Sequence, residues 1–138
     1  MRIMGLDYGE RRIGIAISDP LGWTAQPHST LVRSNEQADM NYLKDLCVKY
    51  QIERIVIGLP LNMNGSLGPK ALEVQAFGDH LAAELKIPVE YSDERLSTVS
   101  AEKVLLQADV SRRKRKKVID KLAAVTILQS YLDKQVQG

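Results

Sequence analysis

The chain has 138 residues, of which 44% are hydrophobic and 26% charged, and its formal net charge is +2. These values exclude a chain that is disordered throughout. A net charge this close to zero does not by itself indicate a class of binding partner. The longest uncharged run, 55–69, has 15 residues against the ~20 that a membrane-spanning helix needs, and a single cysteine excludes an internal disulfide.

Two further features of the sequence bear on its location. The N-terminus enters a strand pattern at once, so we expect no signal peptide. Cys47 lies in an apolar helical stretch with no histidine near it in sequence, so we interpret it as core filler rather than a nucleophile. Because one unpaired cysteine fits a reducing compartment, we expect a cytoplasmic protein with no membrane segment.

The first 32 residues predict an antiparallel meander of three strands. An apolar run over 3–6 leads into Asp7, and a glycine-containing turn over 8–12 follows. Three isoleucines then alternate with small residues over 13–18, which is the period-2 pattern of a strand. A third, weaker strand is predicted over 26–32.

Helices and strands alternate along the rest of the chain. Pro69 is well placed in the first turn of a helix, and the β-branched run 55–57 is typical of a strand buried on both faces. We therefore expect one α/β domain over residues 1–138, with a mixed five-stranded sheet of three antiparallel and then two parallel strands, flanked by helices. In chain order, the predicted later elements are a helix over 36–51, a strand around 55–57, a helix from Pro69 with a buried stripe at Val74, Phe77, Leu81 and Leu85, a strand over 89–92, a helix over 98–107, and a last helix carrying Ile119, Ala123, Ile127 and Tyr131.

Asp7 is the most informative polar residue. It ends a strand that is otherwise apolar, where strand propensity disfavours aspartate. It could cap the following turn through its carboxylate. The carboxyl end of a central strand is also where ligands bind in α/β folds, so we interpret Asp7 as a candidate functional residue.

Two more acidic positions are candidates for the same site. Glu94 lies in Asp93-Glu94-Arg95, directly after the last predicted strand, with Asp93 as the alternative beside it. Both acids could instead be solvated loop charges, or Asp93 could cap the next helix. Asp120 lies near the start of the last predicted helix, on the face that carries Ala123 and Ile127. A carboxylate on a buried stripe is costly unless it is paired or binds a metal, although an acid near a helix N-terminus is also favoured by the macrodipole.

A cluster of carboxylates without histidine or cysteine suits Mg²⁺ or Mn²⁺. Bound between Asp7, Glu94 and Asp120, such ions can activate water and stabilise the leaving oxygen of a phosphodiester. Zinc is disfavoured because the two histidines, His28 and His80, have no ligand spacing. We expect both histidines to be surface or packing residues.

A basic run precedes Asp120. Six consecutive cations are typical of a solvated, flexible loop, but here they would lie beside the candidate metal ligands, where they could bind backbone phosphates. Arg11, Arg12 and Arg95 are further candidates for substrate contacts. The run consists of Arg112, Arg113, Lys114, Arg115, Lys116 and Lys117.

Two uncharged features have more than one interpretation. The loop 59–68 contains two glycines and two asparagines, and it could be a plain turn or could approach a substrate backbone. It lacks the spacing of a P-loop. Trp23, in a loop after the second strand, could stack on a base, although we expect it to pack.

Four stretches carry a resemblance to one family along nearly the whole chain. They are GLDYGERRIGIAISD (5–19), VIGLPLNMNGSLGPKA (56–71), DERLST (93–98) and VIDKLAAVTILQSYL (118–132). In this order and spacing they resemble the bacterial pre-16S rRNA nuclease family, whose members are also described as Holliday junction resolvases.

The resemblance implies a ribonuclease H-like fold, which also has this order of elements, and a divalent-metal nuclease acting in the cytoplasm. Its acidic residues fall on Asp7, on Glu94 and on Asp120. In the better-known junction resolvases of this fold the second acid follows the fourth strand, where this chain has Gly58-Leu59-Pro60. Glu94, one strand later, must then take that role.

The implied partners are an RNA precursor or branched DNA, with ribosome-assembly components as further partners and a monomer or homodimer as the assembly. Two other functions compete with this one. An ATP-binding protein of the sugar kinase and actin type begins similarly, but it needs two such domains and prefers Thr where this chain has Glu10. A non-catalytic nucleic-acid-binding factor would use only the basic run.

Overall fold

The computed structural model describes residues 1–93 and 112–137, with side chains described for 1–93 and 121–135. The helix predicted over 98–107, Glu94 and Arg95 lie outside the described residues. The elements are β1 (Arg2–Tyr8), β2 (Arg12–Ser18), β3 (Ala25–Val32), α1 (Glu36–Tyr50), β4 (Ile52–Leu59), α2 (Pro69–Leu85), β5 (Val89–Asp93) and α3 (Arg112–Gln137).

The five strands form one mixed sheet in the order β3-β2-β1-β4-β5. Strand β2 pairs antiparallel with β1 and β3, whereas β4 pairs parallel with β1 and β5. The predicted sheet, three antiparallel strands followed by two parallel ones, is confirmed. The carboxyl ends of β1, β4 and β5 therefore lie at the same edge of the sheet.

The two faces of the sheet have different side chains because of the alternation in β1 and β2. The large residues Met4, Leu6, Ile13, Ile15 and Ile17 share one buried cluster with the apolar stripes of α1 and α2. The opposite face carries small residues such as Ala16, and α3 packs there. Small side chains on this face allow the helix to lie close to the sheet.

A polar triad of Arg54, Tyr131 and Glu90 connects α3 to strands β4 and β5 by hydrogen bonds. The Arg54 guanidinium donates a 2.6 Å hydrogen bond to the hydroxyl of Tyr131, and that hydroxyl donates in turn to the Glu90 carboxylate. Arg54 follows the start of β4 and is the Cα partner of Ile3 in β1. Tyr131 therefore lies towards the amino end of β1.

The prediction of a flexible basic loop is wrong, because residues 112–117 are helical. Helix α3 begins at Arg112, and Asp120 is consequently its ninth residue rather than a residue near its start. Lysine and arginine are good helix formers, and no glycine or proline interrupts the chain between 112 and 137. Packing of the later turns supports the helix against the repulsion among its N-terminal cations.

Candidate functional site

Asp7 lies near the carboxyl end of β1, on the sheet face covered by α3. It pairs with Gly14 of β2 and is half-buried. Its neighbours Leu6 and Tyr8 point into the cluster beneath α1 and α2. Since successive strand residues point to opposite faces, Asp7 points towards the α3 side.

Helix α3 lies close to β1 at Gly5. A Cβ atom built on Gly5 would lie 2.7 Å from the Cβ of Leu128 and 3.2 Å from the carbonyl oxygen of Ala124. Tyr131 lies at the level of Ile3, so helix and strand run in opposite directions. Moving from Gly5 to Asp7 along the strand therefore corresponds to moving from Ala124 towards residue 120 along the helix.

Position 120 is one helical turn before Ala124, on the stripe that faces the sheet. This backbone register supports the prediction that Asp7 and Asp120 converge, although the Asp120 side chain itself is not described. It also disfavours the interpretation of Asp120 as an N-terminal helix charge, because the position is more than two turns into α3.

Substituting Gly5 with Ala tests this register. We expect the added methyl group to force α3 away from β1, which should lower the free energy of unfolding by about 1–3 kcal/mol. The small entropic gain from removing a glycine does not offset the clash with Leu128 and the Ala124 carbonyl. Urea denaturation measures the loss, and a variant as stable as the wild type would contradict the close approach.

Glu94 would follow directly from β5 at the same edge. The strand ends at Asp93, whose Cα partner is Leu59 at the end of β4. Asp93 itself is exposed. The choice of Glu94 over Asp93 as the second acid, and the substrate contacts of Arg95, stay predictions.

The turn between β1 and β2 brings two predicted substrate-binding cations to this edge. The Gly9 amide donates a 2.9 Å hydrogen bond to the carbonyl oxygen of Arg12 and closes the turn. Arg11 is exposed at the tip, and Arg12 begins β2. Both arginines thus lie on the same edge of the sheet as Asp7.

Arg33 is a residue of this region that the sequence analysis missed. Its guanidinium donates to the Gly9 carbonyl at 3.1 Å and lies 4.6 Å from the centroid of the Tyr8 ring. The same group pairs with Asp39 at 3.3 Å, and Asp39 is only 1% exposed. An acid on the apolar stripe of a helix, one turn before Leu43, was the signal in the sequence that could have revealed the pair.

The loop 60–68 leaves β4 at the edge that holds Asp7. The Gly65 amide donates to the Asn62 carbonyl at 2.8 Å, and the Ser66 amide donates to the Asn64 side chain at 3.0 Å. Gly65 has a φ of +84°, the conformation that favours glycine. The interpretation as a turn is therefore confirmed. Because the loop lies at the same edge of the sheet as Asp7, a contact between this loop and the substrate stays a prediction.

Trp23 is 67% exposed, so the expectation that it packs is wrong. Three loop amides donate to the Asp19 carboxylate, and Gln129 of α3 donates to the Trp23 carbonyl oxygen, so the backbone that carries the exposed ring is fixed. Because β2 is antiparallel to β1, this loop lies at the end of the sheet opposite Asp7. Trp23 therefore has no place beside the candidate site.

The nitrogen and sulfur side chains are engaged elsewhere. His28 contacts Ser29 and the Tyr50 hydroxyl, and His80 pairs with Glu36 at 2.9 Å, which confirms both as surface or packing residues. Burial raises the pKa of the Cys47 thiol to about 12, so the thiolate is disfavoured and the residue is core filler, as predicted. The edge with Asp7 thus fits a hard cation with oxygen ligands better than zinc.

No group of three histidine, cysteine or acidic residues within the described part of the chain could hold a metal ion. Glu94 and the Asp120 side chain fall outside that part, so the three-carboxylate set stays a prediction. Across the described helices, none combines the length and the apolar character that crossing a membrane requires.

The chain resembles known proteins along nearly its full length. Residues 1–134 match the family model RuvX, described as Holliday junction resolvase. A relative from Syntrophomonas wolfei subsp. wolfei, named "Putative pre-16S rRNA nuclease", is 65% identical over 96% of this chain and 94% of its own. A relative of the same name from Moorella thermoacetica is 59% identical over 100% and 99%.

A solved structure shows the same fold at low sequence identity. The structure described as "T. thermophilus RuvC in complex with Holliday junction substrate" superposes with a TM-score of 0.61 at 13% identity, covering 99% of this chain and 96% of that one. The ribonuclease H-like fold and the nuclease class that the sequence predicted are confirmed. Because the family model matches residues 1–134 and both relatives are more than half identical, this chain belongs to the RuvX family.

Proposed function

We propose that this protein is a metal-dependent nuclease that processes the 5′ end of pre-16S rRNA. The observation that carries the proposal is the placement of Asp7 at the carboxyl end of the central strand, on the face where α3 brings position 120 towards it. The names of the relatives from Syntrophomonas and Moorella support RNA as the substrate.

Asp7, Glu94 and Asp120 would hold Mg²⁺ or Mn²⁺. All three offer carboxylate oxygens, and the described histidines and the cysteine contact residues of α1 or α2, on the sheet face opposite the one to which Asp7 points. Bound there, the ion supplies an activated water and stabilises the leaving oxygen of the phosphodiester. Arg11, Arg12, Arg95 and the cations at 112–117 would hold the substrate by its phosphates, which orients the backbone over the carboxylates.

We also propose a cytoplasmic protein of one domain, residues 1–138, acting as a monomer or homodimer beside ribosome-assembly components. The buried free thiol of Cys47 supports a reducing compartment. The match of the family model over 1–134 supports a single domain.

Branched DNA is the second candidate substrate. The description of the family model and the junction-bound structure with a similar fold favour it, whereas the names of the highly identical relatives favour RNA. A shared fold at 13% identity does not transfer a substrate, so the relatives carry more weight.

A cleavage assay on both substrates tests the proposal. A precursor RNA spanning the 5′ end of 16S rRNA and a four-way DNA junction are incubated with the protein in Mg²⁺, in Mn²⁺ and in chelator. We expect cleavage of the RNA that requires either metal. Cleavage of the junction alone would favour the second candidate, and cleavage of neither in any metal would overturn the nuclease assignment.

A further inference from the structure

The Arg33 side chain joins three parts of the molecule that surround the candidate site. Its Nη1 atom donates to the carbonyl oxygens of Gly9, at 3.1 Å, and Glu10, at 3.4 Å, in the turn that follows Asp7. Its guanidinium lies over the Tyr8 ring, and its Nε atom donates to the Asp39 carboxylate at 3.3 Å. One side chain thus connects the end of β1, the β1–β2 turn and helix α1.

Asp39 anchors Arg33 from the helix. A carboxylate that is only 1% exposed is costly unless it is paired, and Asp39 accepts from both Arg33 and the Ser34 amide, the latter at 3.2 Å. It also lies in the first turn of α1, where the helix dipole favours a negative charge. The arginine is therefore held from a rigid element instead of being free to follow the turn.

The Tyr8 ring is held from two sides. Its centroid lies 4.6 Å from that of Phe77 on α2, and Arg33 covers the ring at 4.6 Å. The Tyr8 hydroxyl also donates to Glu73 at 3.4 Å. Because Tyr8 is the next residue after Asp7, fixing its ring and the following carbonyls fixes the direction in which the Asp7 side chain leaves the strand.

We propose that Arg33, anchored by Asp39, is a positioning residue that orients the Asp7 carboxylate for binding a divalent cation. The inference rests on the proposed function, because it takes Asp7 as a metal ligand. A lysine cannot do the same, since its ammonium lacks the planar group that stacks on Tyr8 while donating to two carbonyls and a carboxylate. Orientation of a ligand by such supporting contacts is worth ~10–100-fold in metal affinity.

The substitution Arg33→Lys tests the inference, with Arg54→Lys as the matched control. Arg54 is a similarly half-buried arginine, 27% exposed against 20%, and it also binds an acid and a tyrosine. It lies towards the opposite end of the sheet from Asp7. The variant Asp39→Asn, which removes the charge of the anchor at constant size, serves as a second probe.

The readouts are Mn²⁺ affinity by titration calorimetry, the Mn²⁺ concentration that half-saturates cleavage, and the melting temperature without metal. We expect Arg33→Lys to weaken Mn²⁺ binding by roughly 10–100-fold, and Asp39→Asn to weaken it less. We expect Arg54→Lys to lower the melting temperature as much as Arg33→Lys does, without changing the Mn²⁺ affinity.

Three results would overturn the inference in distinguishable ways. Equal Mn²⁺ affinity in wild type and Arg33→Lys would overturn the positioning role alone and leave the nuclease assignment standing. A wild type that binds no Mn²⁺ and cleaves neither substrate would overturn the proposed function, and the positioning role with it. An equal loss of affinity in Arg33→Lys and Arg54→Lys would assign the effect to stability and overturn the positioning role.

Discussion

Replacing Asp7 with Asn is expected to abolish metal-dependent cleavage while nucleic-acid binding is retained or strengthened. The amide keeps the size of the side chain but removes the negative charge that a hard cation needs. Loss of a group that merely supports a metal ligand costs ~10–100-fold in affinity or activity, so loss of the ligand itself should cost more than about 100-fold. Binding persists because removing a negative charge also reduces repulsion of the phosphate backbone.

The control for this variant is Asp45→Asn, the same chemical change on the exposed face of α1. Cleavage rates at saturating substrate and dissociation constants in chelator are measured for both variants. Unchanged turnover in Asp7→Asn would remove Asp7 from the chemistry and favour a factor that binds nucleic acid without cutting it. Cleavage lost equally in both variants would indicate a general effect of charge.

The sheet could be predicted from the sequence because its signals are local. Isoleucines alternating with small residues over 13–18 give a strand with one large and one small face, and the structure places α1 and α2 on the large face and α3 on the small one. Pro69 marks the first turn of α2, as expected for a residue with a fixed φ and no amide hydrogen. The predicted order of strands and helices also put Asp7 at the carboxyl end of a central strand, which is the edge of the sheet where ligands bind in α/β folds.

The start of α3 could not be predicted from the same signals. The helix formed by 112–117 has no apolar periodicity of its own, and its cations oppose the dipole, so the local pattern favoured a loop. What supports the helix is the packing of distant turns, such as Ala124 and Leu128 against Gly5. Packing between residues more than a hundred positions apart is not visible in a local pattern.

The Arg33–Asp39 pair and the exposure of Trp23 were missed for a related reason. Arg33 follows a weak edge strand and looks like any surface cation, and only the fold brings it onto Tyr8 and the Gly9 carbonyl. Trp23 lies in a loop whose backbone is fixed by Asp19, whose carboxylate accepts hydrogen bonds from three amides of the loop. The Arg33 contacts join segments distant in sequence, whereas the Asp19 bonds lie within one loop, and hydrophobicity alone predicts neither set.

The basic segment of α3 is expected to control affinity and to have much less effect on the chemistry. Six consecutive helical residues span more than one and a half turns, so their positions surround the helix axis. If they bind phosphates, affinity should fall with salt because counterions are released, with a slope of about −0.9 per phosphate neutralised on a duplex and about −0.7 on a single strand. Replacing four of the six should therefore flatten the slope by roughly three units. The four are Arg112, Lys114, Arg115 and Lys116, each changed to Gln, which keeps a high helix propensity.

A second quadruple variant with the same change in net charge separates a local contact from a general field. Its four lysines are exposed and belong to other parts of the surface, namely Lys44, Lys49, Lys86 and Lys134. Binding of the precursor RNA is titrated with salt for both variants and the wild type, and cleavage is measured at saturating substrate. We expect the α3 variant alone to show the flatter salt slope, to weaken on all sequences alike and to keep most of its turnover, since the carboxylates are untouched. Parallel slopes in all three proteins would show that the segment is a solvated face. The phosphate contacts would then have to come from Arg11, Arg12 and Arg95, which lie close in sequence to Asp7 or to Glu94.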